Sequence, residues 1–219
     1  MNLPKYEPKD ADIVLWDPIL FREVFICKAL KQPYHHVSLI KLIDGQPYIV
    51  EQNVDFVPEN PTSLESVLKL GHQLKILRAF WLSKRMRLKV IRAFDDLIKD
   101  KYSYKDALTI FLAVRGLLRF PKAEEEYFIS YLKPGVIIGR KYKNGKYKIK
   151  MLSRVTCATA VNLAFIKATK VNLCPDIPLE YTTPMDLYNS KYLKVEGTIS
   201  SDTEIITPKK LEGTTDDIR

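Results

Sequence analysis

The strongest constraint on this chain is local. Asp44-Gly45 stands between two apolar runs, His36-Val37-Ser38-Leu39-Ile40-Lys41-Leu42-Ile43 and Gln46-Pro47-Tyr48-Ile49-Val50-Glu51-Gln52-Asn53. Aspartate and glycine both tolerate positive φ, which a two-residue hairpin loop requires. The pair predicts a β-hairpin with Ile43 opposite Gln46. Counting outward, Ser38 lies opposite Glu51 and His36 opposite Asn53. Side chains alternate faces along a strand, so His36 and Glu51 become diagonal neighbours on one face, roughly 7–8 Å apart at Cα. His35 is expected on the other face, and a one-residue slip would exchange the two histidines.

A histidine beside a carboxylate becomes chemically interesting when a nucleophile can join it. Cys157 opens the apolar helical stretch Thr156-Cys157-Ala158-Thr159-Ala160-Val161-Asn162-Leu163-Ala164-Phe165-Ile166. In the first turn of a helix the positive end of the macrodipole favours thiolate over thiol. Cys157 as nucleophile, His36 as base and Glu51 as the acid orienting the imidazole are the parts of a thiol hydrolase. The Cys157 backbone N–H is placed to contribute to an oxyanion hole. Spacing alone leaves the distance from Cys157 to the hairpin open. The other thiols read differently. Cys27 lies in Val24-Phe25-Ile26-Cys27 as a small buried hydrophobe, and Cys174 precedes Pro175 in a loop. With no CxxC pair, neither a zinc site nor a disulfide framework is expected, and a reducing compartment is the simpler assumption.

Elsewhere the pattern predicts an α+β chain. Residues 12–16 and 73–80 read as strands, and 19–31 as a helix or an irregular strand. Residues 64–70 read as a short helix capped by Ser63. Residues 83–99 read as an amphipathic helix burying Val90, Ile91, Phe94, Leu97 and Ile98. Its cationic side (Lys84, Arg85, Lys89, Arg92) is the ordinary solvated face of such a helix. Helices are expected over 104–119 and 123–132. A second hairpin spans 135–151, turning at Asn144-Gly145. Thr183-Pro184 starts a helix with proline at its first position. A polar lead-in (1–11), one main domain (12–197) and a frayed polar tail (198–219) complete the expected organisation.

Composition narrows the class. Of 219 residues, 46% are hydrophobic and 28% charged, which suits a globular domain. No apolar run approaches the ~20 residues of a membrane span, and the N-terminus has no apolar signal core. The expected location is therefore cytoplasmic or phage- or virus-associated. A net charge of +9 favours anionic partners. Tyr142, Lys143, Lys146 and Tyr147 of the second hairpin, where tyrosine and lysine interleave, are the candidate contact with an anionic polymer; nucleic acid is not favoured.

Several stretches taken together resemble the permuted NlpC-type papain-like amidases of the YiiX/YebB group. They are Asp12-Ile13-Val14-Leu15-Trp16, His36-Val37-Ser38-Leu39-Ile40, Gly45-Gln46-Pro47-Tyr48-Ile49-Val50-Glu51, the Cys157 helix and Thr183-Pro184-Met185-Asp186-Leu187. The resemblance covers roughly residues 10–195. It implies a permuted papain-like fold, with an antiparallel sheet packed on helices that include the nucleophile helix, and a helical and hairpin insertion at about 105–150. It also implies Cys157 as nucleophile, His36 as base and Glu51 as third polar residue. The expected activity is cleavage of an amide bond in peptidoglycan-type peptides through a thioester acyl-enzyme, with no cofactor or metal and an anionic cell-wall polymer as partner. A lipid acyltransferase or thioesterase on the same fold, or an inactive domain that binds an anionic polymer, are the alternatives. The chain departs from the family pattern in Ala11, where the family has glycine, and in Ala158-Thr159, where it has Ser-Glu.

Overall fold

The structure, a computed structural model, describes residues 4–52, 61–98, 101–102, 127–132, 135–141, 147–152 and 154–207. Thirteen strands and five α-helices are assigned among them. The strands are β1 (Lys5–Tyr6), β2 (Ile13–Trp16), β3 (His36–Ile43), β4 (Gln46–Glu51), β5 (Thr62–Ser63), β6 (Leu74–Arg78), β7 (Lys101–Tyr102), β8 (Tyr127–Leu132), β9 (Gly135–Lys141), β10 (Tyr147–Leu152), β11 (Arg154–Val155), β12 (Lys194–Ile199) and β13 (Glu204–Ile205). The helices are α1 (Phe21–Leu30), α2 (Leu64–Lys69), α3 (Lys84–Leu97), α4 (Cys157–Thr169) and α5 (Pro184–Tyr188). The fold is α+β, built on a six-stranded antiparallel sheet of order β12-β6-β2-β3-β4-β5.

The hairpin sets the register of this sheet. Asp44 and Gly45 take φ of 50° and 79°, and Ile43 pairs with Gln46 and Ser38 with Glu51, as the turn chemistry predicts. Alternation then builds two cores. Ile13, Leu15, Val37, Leu39 and Leu77 face α3 and α4, while Val14, Trp16, Ile40, Ile49 and Ile76 face α2. Helix α3 packs against α4, and α4 against β3. Every residue of α4 from Cys157 to Ile166 is buried, so this helix is held on all sides.

A buried charge cluster ties the first core together. Asp12 is fully buried and accepts from Arg78 Nη2 at 2.6 Å, Arg78 Nε at 2.8 Å, Arg87 Nη1 at 3.3 Å and the Tyr6 hydroxyl at 2.8 Å. Burial and the Asp12 carboxylate both push the Tyr6 phenol up. Just before it, Ala11 sits at φ 62°, in the left-handed region that favours glycine.

One expected helix is replaced by a strand, one open alternative is decided, and one strand is new. Residues 123–132 were expected as helix, but Tyr127–Leu132 is β8, paired antiparallel with β9. Tyr-Phe-Ile-Ser-Tyr-Leu is rich in aromatic and branched residues, and a run this short carries no decisive period. The ambiguous 19–31 segment is a helix over Phe21–Leu30. Lys194–Ile199 forms an unforeseen edge strand on β6, with a glycine in its interior and a register shift at Val195/Gly197. The lead-in and the start of the tail also meet, because β1 and β13 pair in parallel. The helix expected over 104–119 and the Asn144-Gly145 turn lie outside the described residues. Among the described residues, no helix is long and apolar enough to cross a membrane.

Candidate active site

The hairpin brings His36 and Glu51 together as its register requires: His36 Nε2 lies 2.9 Å from Glu51 Oε2. The Cys157 side chain also hydrogen-bonds the His36 imidazole. Three elements thus supply one constellation: His36 from the start of β3, Glu51 from the end of β4, and Cys157 from the first turn of α4. Thr156 starts the helix there by capping it, its side chain accepting from the Thr159 N–H at 3.3 Å. Two backbone N–H groups, those of Val37 and Ala158, also donate to the Cys157 sulfur.

Electrostatics separates this thiol from the others. Burial pushes the Cys157 thiol up, but the facing His36 imidazolium and the two N–H donors overcome it and hold it below the ordinary value. Burial would lower His36, but the Cys157 thiolate and the Glu51 carboxylate raise it to about 10. Burial pushes Cys27 up to about 11 and Cys174 up to about 12. Cys157 alone of the three is poised as a thiolate. It is only 5% exposed, while the His36 side chain is 17% exposed, so the dyad meets solvent mainly at the imidazole.

Trp16 completes the wall of the site and was not anticipated there. It pairs with His36 across β2 and β3, and its ring stands edge-on to that imidazole at 5.9 Å. Its indole N–H donates to Ser38 Oγ at 2.8 Å, which fixes the ring. The sequence signal was Ser38, a polar residue among the apolar positions of β3. His35, expected on the far face of the strand, instead lies just before it. Its ring is 6.3 Å from that of His36 and near-parallel, and its Nε2 is 3.7 Å from Glu23 Oε1 of α1. The strand alternation has not yet begun at His35, so parity does not bind it. Of the hairpin residues named for an anionic polymer, Tyr142, Lys143 and Lys146 lie outside the described residues, and Tyr147 begins β10.

The sequence matches no protein-family model and no curated protein. The fold is similar to that of the metalloprotein YiiX from Escherichia coli O157:H7, with a TM-score of 0.51 and 13% identity over 89% of this chain and 99% of that one. The likeness is one of fold. That protein is described as a metalloprotein; in this chain the described residues gather no set of three or more His, Cys, Asp or Glu side chains placed to hold a metal ion.

Proposed function

We propose that this chain is a cysteine hydrolase on a permuted papain-like fold, with Cys157 as nucleophile, His36 as general acid and base, and Glu51 as the residue that orients His36. One observation carries the reading. The only thiol held below its ordinary pKa faces the one histidine raised to about 10, and that histidine is braced by a carboxylate at 2.9 Å.

The chemistry follows from that charge arrangement. The Cys157 thiolate attacks an acyl carbonyl carbon, and the charge passes to the carbonyl oxygen. The Cys157 backbone N–H, at the start of α4, is a donor for that oxyanion. As the tetrahedral intermediate collapses, the His36 imidazolium gives its proton to the leaving amine, and a thioester on Cys157 remains. Neutral His36 then takes a proton from water as the water attacks the thioester. Collapse returns the thiolate, the imidazolium and a carboxylic acid. Glu51 keeps the ring in place and stabilises its positive form throughout.

The first substrate class is the amide of a peptidoglycan-type peptide, with the anionic wall polymer meeting the basic segment of the sequence that carries Tyr142, Lys143, Lys146 and Tyr147. An acyl lipid is the second class. It is favoured by large apolar side chains exposed on α1, the helix that pairs with His35. Alkylation of each cysteine against pH, read by mass spectrometry in wild type and His36→Ala, tests the chemistry. Cys157 is expected to react at a rate that stays independent of pH below the ordinary thiol pKa of ~8.5. In His36→Ala it should react as an ordinary thiol of pKa ~8.5 or higher. Equal profiles in both proteins would sink the reading.

A further inference from the structure

Ten large apolar side chains stand exposed among the described residues, and five of them fall within residues 19–26: Ile19, Leu20, Phe21, Phe25 and Ile26. Phe21 and Phe25, one helical turn apart on α1, are 88% and 64% exposed. Helix α1 buries Glu23, Cys27 and Ala29 and leaves Phe21, Phe25, Ile26 and Lys28 exposed. Exposed apolar side chains gathered in one short segment mark an interaction surface rather than ordinary scattered exposure. The rest of the set is ordinary. Phe80 lies under Lys194 Nζ at 4.7 Å, and Leu88, Val195 and Ile206 sit on separate elements.

Charge narrows what can cover this face. The one acidic residue between Ile19 and Gln32 is Glu23, which is buried and turned inward to the Ile19 and Leu20 N–H groups and to His35. Lys28 and Lys31, in the last turn and at the C-cap, are exposed. Leu70, 72% exposed, adds a further apolar side chain two residues from His72, whose ring meets Trp16 at 4.9 Å. Exposed apolar side chains beside exposed lysines, with no exposed carboxylate between Ile19 and Gln32, suit the headgroup layer of an anionic bilayer, where apolar burial and lysine charge both favour binding.

We propose that α1, with residues 18–20 before it, docks this protein on an anionic lipid surface. Phe21 and Phe25 enter the apolar layer, and Lys28 and Lys31 meet the headgroups. Glu23 of the same helix pairs with His35, so docking sets the Cys157–His36 pair close to the lipid. The proposal rests on the exposure and charge of the face and is independent of the chemistry assigned to Cys157.

Flotation of the full chain with vesicles of phosphatidylcholine, alone or mixed with phosphatidylglycerol, tests it. The chain is expected to float with the mixed vesicles, less with phosphatidylcholine alone, and less in high salt. Phe21→Ser/Phe25→Ser should lower partitioning about tenfold or more with an unchanged melting curve, since both side chains are exposed. Lys28→Glu/Lys31→Glu keeps the apolar face and should lose the preference for phosphatidylglycerol. Cys157→Ala should float like wild type, which separates docking from catalysis. Failure to float with either vesicle, or undiminished flotation of the double serine variant, overturns the proposal. So does concentration-dependent self-association that the double serine variant abolishes, because the face then belongs to a second copy.

Discussion

At the start of β3 two adjacent histidines enter two pockets, each holding a carboxylate, and are driven in opposite directions. In the pocket between β3, β4 and α4, His36 is raised to about 10, because the Cys157 thiolate and the Glu51 carboxylate at 2.9 Å outweigh burial. In the pocket between β3 and α1, His35 is lowered to about 4. Burial dominates there, Glu23 lies at 3.7 Å, and the charges of His36 and His72 oppose a proton. Its Nδ1 is buried without a hydrogen-bond partner. A neighbouring acid therefore does not by itself make a charged imidazole. Glu23 is already engaged by the Ile19 and Leu20 N–H groups at 3.0 Å each, and the pocket offers no second anion.

Taking the second anion away from His36 is the largest way to break this contrast. Cys157→Ser leaves the geometry and removes the thiolate, the largest of the influences that raise His36. Turnover is expected to fall at least about a thousandfold. The His36 pKa, followed by its imidazole NMR signals, should drop from about 10 toward the ordinary histidine range. An unmoved His36 would mean that the thiolate is not its partner.

Glu51→Gln tests the other support. Glutamine can still meet Nε2 but brings no charge, so turnover should fall about ten- to a hundredfold. The sign is fixed by which form works. In the proposed mechanism turnover needs thiolate and imidazolium together, so it should rise through the lowered Cys157 pKa and fall as His36 deprotonates near 10. Without Glu51 that alkaline fall moves to lower pH. A pH–rate profile that keeps its alkaline limb would leave Glu51 with a structural role only.

Hairpin register made the His36–Glu51 pair legible from sequence, because turn chemistry fixes the count and alternation fixes the face. The closing of α4 onto that pair was not legible in spacing. It depends on packing of α4 against α3 and β3, which local pattern does not encode. The Asp12 cluster was equally hidden. Arg87 has no role in the sequence reading, although it lies three and four residues before Val90 and Ile91 on the buried face of α3; it bonds the Asp10 and Ala79 carbonyls as well as Asp12. Edge strand β12 escaped because four of its six residues are exposed, so it carries no apolar alternation.

The α1 pocket can be sharpened separately with His35→Phe, a near-isosteric change that removes the titrating group. Unfolded histidine has a pKa of ~6.5, and the folded value is about 4. A depressed folded value means stability that is present above pH ~6.5 and is lost as pH falls toward 4. Wild type should lose about 2–3 kcal/mol across that window through this residue, and His35→Phe should not. Denaturant melts at stepped pH measure the difference. Parallel curves would show that His35 is not held neutral.

The smallest expected effect comes from Glu23→Gln, and it asks whether the two pockets are independent. The glutamine oxygen still accepts from the Ile19 and Leu20 N–H groups that close α1, but without charge, so helix and protein should lose about 1 kcal/mol at neutral pH. His35 loses the carboxylate that draws a proton toward it and falls further, so acid unfolding should begin at higher pH than in wild type. Glu23 is itself held low against burial by those two N–H groups and by His35, so the stability it contributes above its unfolded pKa disappears with it. Cys157 should keep its pH-independent alkylation unchanged, because its charge partner is His36 and the support of His36 comes from Glu51. A plateau that shrinks in Glu23→Gln would show that the α1 carboxylate reaches the thiolate through the stacked imidazoles, and that the two pockets titrate as one unit.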